Sequence, residues 1–185
     1  MLIRALLVIG LVLNAGCALL PAAEDRPFPL AELAASLPPS ATQTLAASFG
    51  SHQLALQCAF AADAAGWRSV CIGPAGRRLL TINVDANRQL TSQLDPALPT
   101  AFDPQRMALD IQWAFWPLEA LELAAKDTQW RVMQPRPDTR QIHLAHRLIA
   151  EIHYADADPW NGRLTIVHHS PAYCLDLLTQ AANGR

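Results

Sequence analysis

Apolar residues recur at every second position between residues 51 and 62, where Leu54, Leu56, Cys58 and Phe60 share one face, and this period predicts a strand. A second strand follows over 67–72. The Gly-Pro-Ala-Gly turn at 73–76 leads into 78–84, where Leu80, Ile82 and Val84 alternate with Thr81 and Asn83, and a turn at 85–87 precedes a fourth strand over 88–94. Four short strands at hairpin spacing predict an antiparallel meander with one apolar face. The period then changes. Asp103 before Pro104 has the form of an N-cap with proline at the first helical position, and Met107, Ile111, Ala114 and Phe115 recur at helical spacing as far as Trp116. Pro117 interrupts, and residues 118–126 resume the pattern with Leu118, Leu121 and Ala125, so a bent helix or a helix pair is expected.

Strand spacing returns at 129–133 and is clearest from Ile142 onward, where Ile142, Leu144, His146, Leu148, Ala150, Ile152 and Tyr154 occupy alternate positions. Asn161-Gly162 turns the chain into 164–168, and a last strand covers 173–179 after Pro171. Residues 21–40 hold five of the fourteen prolines and read as a tether containing one short helix over 30–37. The fold class is therefore α+β, with a short N-terminal helix, about four strands, a central bent helix and about four more strands.

Composition sharpens this picture at the N-terminus. The chain has 185 residues, 51% of them hydrophobic and 16% charged, with a formal net charge of -2, which excludes a disordered chain and a basic nucleic-acid binder. Twelve of the first sixteen residues are apolar, and Arg4 is their one charge. A positive start, an apolar run over 5–13 and small residues before a break form a signal peptide. Cys17 after Gly16 resembles a bacterial lipoprotein signal, which implies lipidation of Cys17 as the first mature residue. Ala18 in place of aspartate implies sorting outward, to a lipid-anchored, periplasm-facing position at the outer membrane. The competing reading, a retained membrane helix over 5–23, would place Asn14 in the bilayer and Pro21 near its end. The organisation expected is a signal peptide over 1–16, a tether over 17–40 and a single domain over 41–185.

Three cysteines remain after Cys17, so one intramolecular disulfide at most can form. Cys58 and Cys71 face each other if a hairpin is centred on 63–66; the plainer alternative is three buried thiols acting as small hydrophobes. Of the six histidines, His143 and His146 stand three apart on a strand and point to opposite faces, which does not make a zinc site. His143 and His153 are expected on a solvent-facing side, and His168 and His169 at an edge or in a loop. No nucleophile elbow, zincin, P-loop or dinucleotide motif occurs. Glu119 and Glu122 read as solvated helix surface, and Asp156 and Asp158 as turn residues. No metal, cofactor or enzymatic activity is expected.

The aromatic residues Trp67, Trp113, Phe115, Trp116, Trp130 and Trp160 cluster around the helical segment and strand ends. Most belong in a core, yet a helix crossing a strongly curved sheet can leave a cavity. The residues expected to line it are Leu54, Leu56, Phe60, Leu80 and Ile82 from the first meander. Ile111 and Phe115 join them from the helix, with Leu148 and Ile152 from the later strands. An acyl chain such as palmitate suits such a space, at about 0.8 kcal/mol for each methylene removed from water.

The order of elements is similar to the outer-membrane lipoprotein receptor LolB and its periplasmic partner LolA, which implies a half-open β-barrel closed by helices. The runs Leu109-Asp-Ile-Gln-Trp-Ala-Phe-Trp-Pro-Leu-Glu-Ala-Leu121 and Ala172-Tyr-Cys-Leu-Asp-Leu-Leu-Thr179 more closely resemble a bacterial lipoprotein family associated with aryl-polyene biosynthesis clusters. The resemblance implies binding or transfer of a lipid, or of lipoprotein acyl chains, without catalysis. The turn at 73–76 carries no leucine, unlike the protruding apolar loop of the receptor. The alternative is an accessory or scaffolding lipoprotein that binds a biosynthetic enzyme or envelope protein through its surface. Intact-mass measurement of the membrane-extracted protein is expected to give a chain beginning at acylated Cys17; an unprocessed Met1 would overturn that assignment.

Overall fold

The computed structural model describes residues 26–100 and 102–182, so the signal segment and Cys17 lie outside the described residues. Ten strands form one antiparallel sheet: β1 Ser40–Phe49, β2 His52–Asp63, β3 Gly66–Ile72, β4 Arg78–Asp85, β5 Leu90–Leu94, β6 Trp130–Arg136, β7 Thr139–Leu144, β8 Arg147–Tyr154, β9 Arg163–His169 and β10 Ala172–Ala181. Their order is β5-β4-β3-β2-β1-β10-β9-β8-β7-β6. Two five-stranded meanders thus meet where the first and last strands pair, from Ala41 opposite Ala181 to Ser48 opposite Cys174. Between them the chain forms α1 Pro104–Phe115 and α2 Leu118–Ala125. A helix pair forms because Pro117 follows directly on the capping residue Trp116 and carries no N–H to continue α1.

Period two decides which face is covered. Leu45 and Ala47, Leu56 and Phe60, Leu80 and Ile82, Leu164 and Ile166, and Leu175 and Leu177 are all buried, and the residues between most of them are exposed. Residues 107–115 of α1 are also buried throughout, which an ordinary surface helix never shows. Asp103 caps α1 by accepting the Gln105 N–H at 2.9 Å. Much of the interior beside the helix is filled by rings. Trp160 lies 4.9 Å from Phe60 and 4.4 Å from Phe115 between centroids, and Trp67 lies 5.8 Å from Trp116.

Three features depart from the pattern expected of the sequence. The short helix over 30–37 does not form: the segment is irregular, with a turn at Ala35 and Ser36. Its backbone is committed elsewhere, because Ala31 gives its N–H to Gln112 Oε1 at 2.9 Å and takes the Gln112 amide on its carbonyl at 3.2 Å. The Glu32 carbonyl accepts from Trp116 Nε1 at 2.8 Å. A helix would need those carbonyls for its own next turn. Part of the proline-rich stretch is therefore packed on the domain, with Phe28 buried edge-on to Trp113.

The second departure is the stretch from Ile142 to Tyr154, which is a hairpin. Leu144 pairs with Arg147 across a two-residue turn at Ala145 and His146, with Ala145 at φ 54. The turn shifts the alternation by one residue, and a bulge in the β7–β8 register shifts it back, so the sequence pattern looks unbroken. Leu148 pairs with His143 and leaves the inner face, while Ile149 is buried. The third is β1, which was not expected as a strand and yet joins the two meanders.

In the β2–β3 hairpin Asp63 opposes Gly66 and Cys58 opposes Cys71, and the two cysteines form a disulfide with sulfurs 2.08 Å apart. Cys174 is a free thiol. A crosslink over 13 residues restricts the unfolded chain by about 3 kcal/mol. Replacing both Cys58 and Cys71 by alanine is expected to lower unfolding stability by about that amount. Urea denaturation with and without reductant checks it: the wild type should fall to the variant's midpoint on reduction, and the variant should not respond.

Candidate functional site

One end of the space between α1 and the sheet stays open. The cleft lies between the first turns of α1 and the adjoining ends of β1, β2 and β10, and its apolar walls include Leu45, Phe49, Leu54, Met107 and Leu175. Its volume is about 170 Å³. An apolar cavity of about 150 Å³ takes up one benzene molecule, so this one admits roughly six carbon atoms. Asp103, Arg106, Asp110 and Tyr173 supply the polar part of its lining.

Asp110 is the most constrained of these. It is buried on α1, and a buried carboxylate is costly unless its oxygens are paired. His168 Nε2 lies 2.6 Å from Oδ1, and the Tyr173 hydroxyl donates to Oδ2 at 2.7 Å. The His168 ring stacks on Tyr173 and on Trp113, with centroids 4.0 and 5.7 Å away. Burial first, and then the charge and hydrogen bond of Asp110, push the Tyr173 phenol far above its ordinary range, while Arg106 opposes the rise. Tyr173 is therefore a proton donor to Asp110 at any physiological pH. This cluster pins the second turn of α1 to β9 and β10.

The other end of α1 is fixed by a second pair of polar side chains. Arg140 on β7 is buried and donates from Nη1 to the carbonyls of Trp113 and Trp116 at 2.6 and 2.9 Å, satisfying the helix C-terminus. Tyr154 on β8 donates to the Ala114 carbonyl at 2.9 Å. Burial raises the Tyr154 phenol to about 12, against the pull of Arg140, and burial lowers Arg140 against Tyr154 and Glu119.

The residues expected to line a cavity separate into two groups. Leu54 borders the cleft. Leu56, Phe60, Leu80, Ile82, Ile111, Phe115 and Ile152 lie in the packed core, and Leu148 is half-buried outside the inner face. His168, expected at an edge or in a loop, is instead buried on the inner face of β9 as the partner of Asp110. His169 is exposed; His143 is half-buried beside Gln141, and His153 pairs with Glu151 at 2.9 Å. Asp156 and Asp158 hold turn N–H groups of Arg163 and Trp160. Among the described residues no group of three His, Cys, Asp or Glu side chains could hold a metal ion. Asp110 and Tyr173 were missed because each reads as an ordinary polar residue in an element; the one available signal was a carboxylate among the apolar positions flanking Ile111.

Residues 40–181 match the family model DUF3261, described as a protein of unknown function, and the chain belongs to that family. A domain from Vibrio parahaemolyticus, described as a proposed outer membrane lipoprotein-sorting protein domain, superposes with a TM-score of 0.44 at 6% identity, covering 79% of this chain and 86% of that one. No curated protein matches. Among the described residues no helix is long and apolar enough to cross a membrane.

Removing the carboxylate by Asp110→Ala strands His168 and Tyr173 in the interior. A loss of about 3–5 kcal/mol is expected, the range for breaking a buried pair from one side. Chemical denaturation checks it, and a loss below about 1 kcal/mol would show that the cluster does not hold α1.

Proposed function

We propose that this protein is a lipid-anchored envelope lipoprotein that takes an aliphatic chain into the cleft beside α1 and releases it again without catalysis. The sheet is read as a half-open barrel around α1, and the cargo as the acyl chain of a lipid or lipoprotein, or a polyene-type lipid. The observation that carries the reading is the cleft itself, whose apolar walls include leucine, phenylalanine and methionine side chains.

Its size sets the affinity. Burying about six carbons contributes about 5 kcal/mol before the cost of ordering the chain, so binding is weak and exchange is easy. That suits a carrier that hands its cargo on. Anchoring at Cys17 fits the same reading, because Arg26 follows it by nine positions, a reach of about 30 Å at full extension. The Arg26 carbonyl accepts from Trp130 Nε1 at 2.8 Å, which puts the start of the described chain beside the rim of the domain.

A series of alkyl ligands of increasing length tests this. Affinity is expected to rise about fourfold per methylene, the equivalent of 0.8 kcal/mol, up to roughly six carbons and then to flatten. Leu54→Glu should abolish the dependence. Affinities that do not change with chain length would overturn the proposal.

A further inference from the structure

The walls of the cleft describe a chain, and its rim describes what the chain carries. Arg106 is half-buried at that rim and, among the described residues, forms no ion pair with a carboxylate; its polar contact is the Tyr173 hydroxyl. The two acids nearest in sequence on its own helix also line the cleft, and neither forms an ion pair with it: Asp103 caps α1 through the Gln105 N–H, and Asp110 is held by His168 and Tyr173. Arg106 also borders a second cleft, of about 350 Å³, on the other flank of α1. Asp103 and Pro171 are shared by both clefts in the same way. The second cleft is more polar and is lined by Arg147, Trp113, Trp130 and Phe28. Trp113 there is buried, and its indole N–H has no acceptor among the described residues.

A half-buried guanidinium beside an apolar cleft fits an amphiphile whose charge is negative and lies at one end of its chain. We infer that Arg106 is the headgroup contact, and that the ligand is a single-chain amphiphile ending in a carboxylate, of the fatty-acid class. The methyl end enters the apolar cleft, and the acid group rests at Arg106 where the two clefts meet. One chain is specified because the cleft holds about six carbons and leaves no space for a second tail. A carboxylate is specified because one planar guanidinium matches a single charge with two parallel oxygens. This inference rests on the chain-binding reading above and adds the head group to it.

The test uses the full-length lipoprotein in zwitterionic vesicles and three twelve-carbon photoprobes. Each carries a diazirine at the far end of its chain, and the head groups are carboxylate, hydroxyl or trimethylammonium. After irradiation, mass spectrometry of peptides locates the adducts. The carboxylate probe is expected to label the peptides containing Leu54 and Met107 about tenfold more than the alcohol, the scale of one charge-assisted hydrogen bond. Arg106→Gln should bring carboxylate labelling down to the level of the alcohol, and a circular dichroism spectrum and thermal midpoint matching the wild type show that the variant is folded. Arg106→Lys should retain part of the preference. Equal labelling by all three head groups, or an Arg106→Gln variant that keeps the preference, overturns the headgroup contact while leaving chain binding in place. Absence of cleft adducts with every probe overturns both.

Discussion

A helix buried along nearly its whole length must find a partner for each polar group it carries inside, and α1 is built around that requirement. Among its buried residues Asp110 and Gln112 are each paired on both of their terminal atoms, and the Trp113 indole N–H is the exception, with no acceptor among the described residues. The carbonyls at its C-terminal end, which no further turn of helix can satisfy, receive Arg140 and Tyr154. These bonds fix the helix in position and rotation. The rings of Trp113, Phe115 and Trp116 are thereby set where they meet Phe28, Trp160 and Trp67.

The same bonds explain why the apolar cleft lies beside the first turns of α1. The C-terminal part of α1 is held by β7, by β8 and by the segment around Ala31 and Glu32, and aromatic side chains fill the room beside it. Its first turn has no such ring cluster against β1 and β2. There the walls are aliphatic side chains and Phe49, too few to close the gap.

Much of this organisation is legible in the sequence. Alternation over 51–94 marks β2 to β5, the Asp103-Pro104 pair marks the start of α1, and the hairpin centred on 63–66 sets Cys58 opposite Cys71. What escapes is specific. Strand β1 alternates, but its inward positions are Ala41, Gln43, Leu45 and Ala47, and small or polar residues carry too little hydrophobic contrast to mark a strand. The β7–β8 hairpin hides because its turn and its bulge cancel in phase. The segment over 30–37 has helical composition, but its conformation is decided by two side chains about 80 residues away, an interaction that no local window contains. The positions of strongest alternation, such as Leu56, Phe60, Leu80 and Ile82, are the residues that pack best, and so they do not mark the cleft. Arg106, Asp110 and Tyr173 become a site only through contacts between α1 and β9–β10.

Each hydrogen bond that a side chain makes between α1 and the sheet goes to the second meander: to His168 on β9, Tyr173 on β10, Arg140 on β7 and Tyr154 on β8. Among the described residues no side-chain hydrogen bond joins α1 to β1–β5. The buried residues of those strands are mostly apolar, Phe60, Trp67, Leu80 and Ile82 among them, and the Phe60 and Trp67 rings meet Trp116 at the C-terminal end of the helix. The two interfaces respond differently to a guest. Separating α1 from β9 and β10 would leave a buried carboxylate and its partners unsatisfied, whereas an aliphatic chain between α1 and β1 replaces one apolar contact with another and breaks no hydrogen bond. The cleft opens where this second interface meets β10, and a chain entering it would meet at the rim the one arginine of α1, Arg106.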